Sequence, residues 1–321
     1  MSAPILQVKD LRVYYHVEAG AVKAVDGVSF DLPPGVKMGL VGESGSGKST
    51  MALALMRMIK PPARVEGGQM ILDGVDLVTL SEEEMRQTRL SKIAMIPQGA
   101  MNSLNPVVRI EKQILDGLLD HGYRFSKEER REKVEQLLRS VDLDPKVAKM
   151  YPHELSGGMK QRVTVAMSIA MEPELVIADE PTSALDVVIQ RRVIETINRI
   201  QEELGLSLIL IGHDMGLMAQ TVDRLAVMYA GKMMEIGEVR DIFRNPLHPY
   251  TQLLISSLPV LENRGVFSGI PGITPSLLNP PPGCVFHTRC PKAWDLCREE
   301  TPPYIEVEPG RFVACHLHSG K

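Results

Sequence analysis

The sequence predicts an α/β fold, and three stretches predict it. Met38-Gly39-Leu40-Val41 is a short apolar run that passes directly into Gly42-Glu43-Ser44-Gly45-Ser46-Gly47-Lys48-Ser49-Thr50 and then into a helix-forming segment. Leu175-Val176-Ile177-Ala178 is a second such run, closed by two carboxylates, Asp179 and Glu180, and Leu208-Ile209-Leu210-Ile211 is a third, closed by Gly212-His213-Asp214. Unbroken apolar runs of this length suit strands buried on both faces. Strand, loop and helix stand in the order that gives a G-x-x-x-x-G-K-[ST] motif its meaning.

The loop chemistry follows from its residue types. Glycines at 42, 45 and 47 let successive backbone N–H groups wrap phosphates, and Lys48 reaches the β- and γ-phosphates of a nucleoside triphosphate. Ser49 is positioned to ligate Mg²⁺, and Ser44 and Thr50 complete the nucleotide-contacting stretch. At the end of the second run, Asp179 fits a residue that holds the Mg²⁺ shell and Glu180 one that polarises the attacking water. Successive strand side chains diverge, so an adjacent pair divides the two tasks.

Leu155-Ser156-Gly157-Gly158-Met159-Lys160-Gln161-Arg162 is the most restrictive stretch. Two glycines permit close approach to a ligand, Ser156 offers a hydroxyl, and the run from Val163 to Met171 reads as a helix presenting its N-terminal end to an anion. With this segment about twenty residues before the strand ending Asp179-Glu180, the chain resembles the ATPase subunit of ATP-binding cassette (ABC) transporters. The resemblance implies a P-loop NTPase cassette with a RecA-like core, an antiparallel β subdomain and a helical subdomain over about residues 99–160. It also implies roles. Gln98, ending the apolar run Ile93–Pro97, is the Q-loop glutamine that contacts Mg²⁺ and the attacking water, and the turn-rich loop after it faces membrane subunits. Pro181-Thr182-Ser183-Ala184-Leu185-Asp186 is the D-loop, and His213 is the switch histidine at the γ-phosphate. Ser156 and Gly158 act in trans on ATP held by a partner cassette. An aromatic near residue 15 stacks on adenine; Tyr15 is preferred because Tyr14 points to the opposite strand face.

The remaining elements follow from local signals. Short alternating runs over residues 5–32 read as antiparallel strands. Capping boxes at Ser81 and Ser126 start helices, the second carrying Val134, Leu137, Leu138 and Val141 at helical spacing. After the D-loop, Ile189, Val193, Ile197, Ile200 and Leu204 define one face of a helix capped by Gly205. Leu225–Ala230 and Gly231–Ile236 form the closing strands of a cassette over residues 1–244.

Composition bounds the function. Among 321 residues the formal charge is −4, a mild balance that points away from a protein that wraps a polyanion such as nucleic acid. No apolar run approaches the ~20 residues of a membrane span, and no secretory signal is visible at the N-terminus, so the expected compartment is the cytoplasm. From Asn245 prolines accumulate, and Asn245-Pro246-Leu247-His248-Pro249-Tyr250-Thr251, Gly283-Cys284-Val285-Phe286-His287 and Arg289-Cys290-Pro291 resemble the C-terminal extension of ATPase subunits of bacterial and archaeal oligopeptide/dipeptide importers. The expected activity is ATP hydrolysis powering uptake of di- or oligopeptides, with nickel, glutathione or oligosaccharides as alternative cargo and a soluble, non-transport ABC protein as the remaining class. The resemblance implies a second, related cassette, two transmembrane permease subunits, an extracytoplasmic binding protein, and a peripheral place on the cytoplasmic face of the inner membrane. Four cysteines, Cys284, Cys290, Cys297 and Cys315, lie in residues 245–321. They lack the short C-x2–4-C step usual for zinc, and members of the resembled family carry a [4Fe–4S] cluster here. A cluster is therefore the expectation, with Zn²⁺ as the alternative, stapling an appendage with little regular structure.

Overall fold

The computed structural model describes residues 3–99, 103–183, 185–258 and 269–320. The chain divides into two compact units, one built mainly from Thr79–Ile211 with Pro33–Gly35, the other from Leu6–Leu32, Val36–Val78 and Gly212–Lys321. Residues 245–321 thus share a unit with the phosphate loop.

The second unit opens with β1 (Leu6–Val17) and β2 (Gly20–Leu32), a long antiparallel hairpin. Three runs expected over residues 5–32 merge into two strands, bent by register shifts between Val8 and Leu11 and between Val13 and Tyr14. β4 (Ala63–Leu72) pairs with the other edge of β1, and β5 (Val75–Asp76) completes the order β2-β1-β4-β5. Leu6, Val8, Leu11 and Val13 are buried on the inner side of this antiparallel layer. Sequence reading missed β4 because Gly67-Gly68 interrupts its alternation. Gly68 sits at φ +94°, where a Cβ would lie 2.5 Å from the Asp10 carbonyl oxygen, so the chains approach too closely for any side chain.

The same unit holds β3 (Lys37–Val41), which runs parallel to β9 (Arg224–Tyr229); β10 (Lys232–Glu238) pairs antiparallel with β9. The phosphate loop joins β3 to α1 (Lys48–Leu55). The C-terminal segment is more regular than its prolines suggest. After α7 (Met215–Thr221) and α8 (Val239–Arg244) come α9 (Pro249–Ser256), α10 (Asp295–Glu299) and a hairpin of β11 (Tyr304–Glu308) and β12 (Arg311–Ala314). β12 pairs antiparallel with β10, extending the order to β11-β12-β10-β9-β3.

The first unit holds three parallel strands, β6 (Ile93–Ile96), β7 (Leu175–Asp179) and β8 (Ser207–Ile211), in the order β8-β7-β6. Every residue of β7 and β8 is buried, which is why Leu175–Ala178 and Leu208–Ile211 are unbroken apolar runs rather than alternating ones. Among the described residues from 103 to 160 every regular element is helical. α2 (Glu82–Thr88) and α4 (Lys127–Ser140) start at full capping boxes on Ser81 and Ser126. α3 (Ile110–Asp120) starts at Arg109 with no side-chain cap, and so left no signal in the sequence. α5 (Gly157–Ser168) packs on α6 (Val187–Leu204), whose inner face is Val193, Ile194, Ile197 and Ile200; Leu204 is exposed, and Gly205 caps the helix at φ +64°. No helix among the described residues is long and apolar enough to cross a membrane.

Candidate active site

The phosphate loop is shaped by two glycines that nothing else could replace. A Cβ on Gly42 would lie 2.0 Å from the Met228 carbonyl oxygen, and one on Gly47 2.0 Å from the Ala24 carbonyl oxygen. Both residues also sit at positive φ, +149° and +102°. Gly45 differs: its φ is +76°, but a Cβ would meet nothing within 4 Å. Gly47 caps α1 without a side-chain acceptor, which leaves the first-turn N–H groups of that helix directed into the loop. Lys48 is 7% exposed, and its ammonium donates to the Gly42 and Glu43 carbonyl oxygens at 2.8 and 2.9 Å and to Ser46 Oγ at 3.2 Å. Ser44 is exposed, and Ser49 and Thr50 lie in the first turn of α1.

The two tyrosines separate as strand geometry requires. Tyr15 Oη lies 3.3 Å from Thr50 Oγ1, beside the start of α1. Tyr14 instead donates to Asp26 Oδ1 at 2.5 Å, and Asp26 also accepts from Lys232 Nζ at 3.0 Å. Burial first, and the Asp26 carboxylate next, push the Tyr14 hydroxyl up to about 12. Tyr14 is therefore committed to an internal polar cluster.

Both carboxylates sit at the C-terminal end of β7 and Gln98 just after that of its parallel neighbour β6, where α/β folds place their chemistry. Ile96 pairs with Ala178, so Gln98 and Glu180 emerge side by side. Gln98 Nε2 donates to Glu180 Oε2 at 2.8 Å. Asp179, the last residue of β7, is 3% exposed. Glu180 adopts φ +45°, an uncommon conformation for a residue with a side chain, and its N–H donates to the Ile211 carbonyl oxygen at 3.0 Å. The sharp turn after Asp179 divides the pair more strongly than strand alternation alone.

Ser156 is the exposed N-cap of α5, its Oγ accepting from the Met159 N–H at 3.3 Å. Gly158 is small for a packing reason, since a Cβ there would be 2.6 Å from Ile189 Cγ2 on α6. His213 is exposed just after Gly212, while Asp214 caps α7 through the Leu217 N–H at 2.9 Å. Ala100–Asn102 of the loop after Gln98, and Ala184 of the D-loop, lie outside the described residues. Sequence reading missed Glu43 of the loop and its partners Tyr250 and Arg289; Glu43 fills a variable position of the motif, and nothing in the sequence links the other two to it.

The iron–sulfur expectation, and with it zinc, is corrected by the structure. Among the described residues no group of three or more His, Cys, Asp or Glu side chains is arranged to hold a metal ion. Cys284, Cys290, Cys297 and Cys315 line one small cavity with space for roughly one water. All four are free thiols. Burial pushes the Cys284 thiol up to about 12 and that of Cys315 up to about 11, and it raises Cys290 as well. The segment is fastened instead by the Cys284 N–H, which donates to the Cys297 carbonyl oxygen at 2.8 Å, and by Phe286, which packs on Tyr229 and Tyr250 with ring centroids 5.1 and 5.2 Å away. Iodoacetamide at pH 8 is accordingly expected to alkylate Cys284 and Cys315 roughly tenfold or more slowly in the native chain than after unfolding. Peptide mass spectrometry over time reads this, and fast native labelling at Cys284 would contradict it.

A phosphate loop on a parallel strand, a buried Asp followed by Glu at the end of another, a glutamine aimed at that Glu and a Ser-Gly-Gly helix start define an ABC-type ATPase. The ABC transporter family matches residues 25–183, and the family described as the oligopeptide/dipeptide transporter C-terminal region matches residues 234–297. The chain is 45% identical to the oligopeptide transport ATP-binding protein AppF of Bacillus subtilis (strain 168), over 98% of each chain. It is 42% identical to the dipeptide transport ATP-binding protein DppD of Caldanaerobacter subterraneus subsp. tengcongensis, over 98% of this chain and 97% of that one. A solved dimeric ATP-binding cassette in a post-hydrolysis state, bound to ADP and Pi, superposes with a TM-score of 0.66 at 26% identity, covering 73% of this chain and 99% of its own. The chain belongs to the oligopeptide/dipeptide transporter ATP-binding family of ABC ATPases.

Proposed function

We propose that this chain binds and hydrolyses ATP to power uptake of di- or oligopeptides, as a peripheral subunit on the cytoplasmic face of the inner membrane. One observation carries the reading: intact nucleotide motifs stand in the same chain as a C-terminal region matching the oligopeptide/dipeptide transporter family. In this reading the loop N–H groups and Lys48 hold the phosphates, and Tyr15 supports the adenine. Ser49, Asp179 and Gln98 offer hard oxygen donors of the kind Mg²⁺ takes. Bound Mg²⁺ supplies charge neutralisation on the transferred phosphoryl group. Glu180, oriented by Gln98, accepts the proton of the attacking water, and His213 contacts the γ-phosphate.

Ser156 and Gly158 serve the nucleotide of a second cassette, a related but distinct chain, and the pair works with two permease subunits and an extracytoplasmic binding protein. The exposed position of Ser156, at the start of α5, supports this. A shared site makes activity depend on assembly. The isolated chain should hydrolyse ATP on the order of 10²-fold more slowly than the assembled transporter, the usual effect of losing a set of transition-state donors. Turnover is measured before and after adding the partner cassette and permeases in lipid. Full turnover by a sample shown to be monomeric would contradict the reading.

A further inference from the structure

Glu43, the second residue of the phosphate loop, has each of its polar groups taken by another residue. Its carboxylate receives a bidentate pair from Arg289, Nη1 to Oε2 at 2.6 Å and Nη2 to Oε1 at 2.9 Å, and Thr274 Oγ1 donates to Oε2 at 2.7 Å. Its N–H donates to Tyr250 Oη at 2.9 Å, and its carbonyl oxygen accepts from Lys48 Nζ. Tyr250, Thr274 and Arg289 all come from residues 245–321. Arg289 is not a surface partner: its side chain is 4% exposed. Its other contacts fix the plane of the guanidinium, with Nε donating to the Pro271 carbonyl oxygen, Nη2 to that of Ile270 and Nη1 to Tyr229 Oη.

We propose that the C-terminal extension is a positioning element for the phosphate loop, with Arg289 as its principal residue. The proposal rests on the loop being the ATP site. Arg289 does two things there. It locks the loop backbone at Glu43, whose carbonyl oxygen is a partner of Lys48, and it neutralises a carboxylate that would otherwise stand unpaired in a site for a polyanion. Partial burial pushes the Glu43 carboxyl up, but hydrogen bonds from Arg289 and Thr274 and the charges of Arg289 and Lys48 outweigh it and hold the group below the usual carboxylate range. Without Arg289, that anion competes with the phosphates for Lys48 and repels them. Both effects act on nucleotide binding and neither on the bond-breaking step.

The test compares MgATP affinity of the full chain with KM and kcat of the assembled transporter. Arg289→Ala should weaken MgATP roughly tenfold or more, the size of one lost charge-assisted contact. KM should rise in parallel while kcat stays within about twofold, the pattern of lost uniform binding. Glu43→Gln combined with Arg289→Ala should recover most of that affinity, because the offending charge is gone. A merely structural pair would show this loss and recovery in the melting curve alone, with the MgATP affinity of the folded protein unchanged throughout. Arg289→Lys keeps the cation without the fork and should fall between wild type and alanine. It also serves if the alanine variant fails to fold, as judged by its melting curve. Unchanged affinity in both Arg289 variants, or a double variant no better than Arg289→Ala, overturns the proposal while wild-type binding leaves the ATPase reading standing. Absence of MgATP binding by the wild type overturns both.

Discussion

Glu180→Gln is expected to keep MgATP bound and to reduce hydrolysis at this site by on the order of 10²–10³, within the range that a positioned general base contributes. The substitution changes little except charge. A glutamine can still accept the Gln98 amide with its own Oε1, and it inherits the same backbone at φ +45° held by the Ile211 carbonyl oxygen. What it loses is the ability to take a proton from water. The measurement is ATPase turnover of the assembled transporter with the partner's site disabled, beside a fluorescence titration for nucleotide affinity. Lys48→Ala supplies the contrast, because removing the ammonium should weaken binding itself. Undiminished hydrolysis by Glu180→Gln would remove Glu180 from the mechanism.

The second large effect is steric. Gly47→Ala places a methyl 2.0 Å from a carbonyl oxygen of β2, at a φ of +102°. Neither side can yield, because the oxygen belongs to strand backbone and the alanine to the turn that starts α1. The expected outcome is destabilisation by roughly 4 kcal/mol or more, among the rare large single-site effects, with MgATP binding lost as the loop distorts. Gly45→Ala separates the causes. It shares the positive φ but meets no atom within 4 Å, so it should show only the backbone term of about 1–2 kcal/mol. Denaturant melts of both variants read the difference, and equal effects would mean that space is not the issue at Gly47.

Much of the candidate site's local geometry was legible because it is carried by contiguous residues. A strand ending Asp179-Glu180, or a loop running Gly42 to Thr50, states its own local geometry. The helix starts at Ser81 and Ser126 were equally local, each set by a side chain and a backbone N–H three residues apart. What failed to show was whatever depends on distant partners. β4 is a strand because it pairs with β1 despite two central glycines, and β12 is one because β10 offers it an edge. The Glu43–Arg289 pair joins residues 246 positions apart, and no spacing rule reaches that far. The cysteines misled for a related reason. Four thiols in one short segment suggest shared ligation, yet among the described residues no group of three or more such side chains is arranged to hold a metal ion.

The hairpin of β11 and β12 also has a consequence for solubility. Through Glu235–Val313 and Ile236–Phe312, β12 covers the backbone of β10, and the outermost strand becomes β11. β11 is five residues long and turns Glu306 and Glu308 outward, the short, charged kind of edge that resists pairing with another chain. A chain ended at residue 244 would instead present β10 itself, with Met233, Met234 and Ile236 along an uncovered strand. The extension therefore acts as a cover against edge-to-edge aggregation.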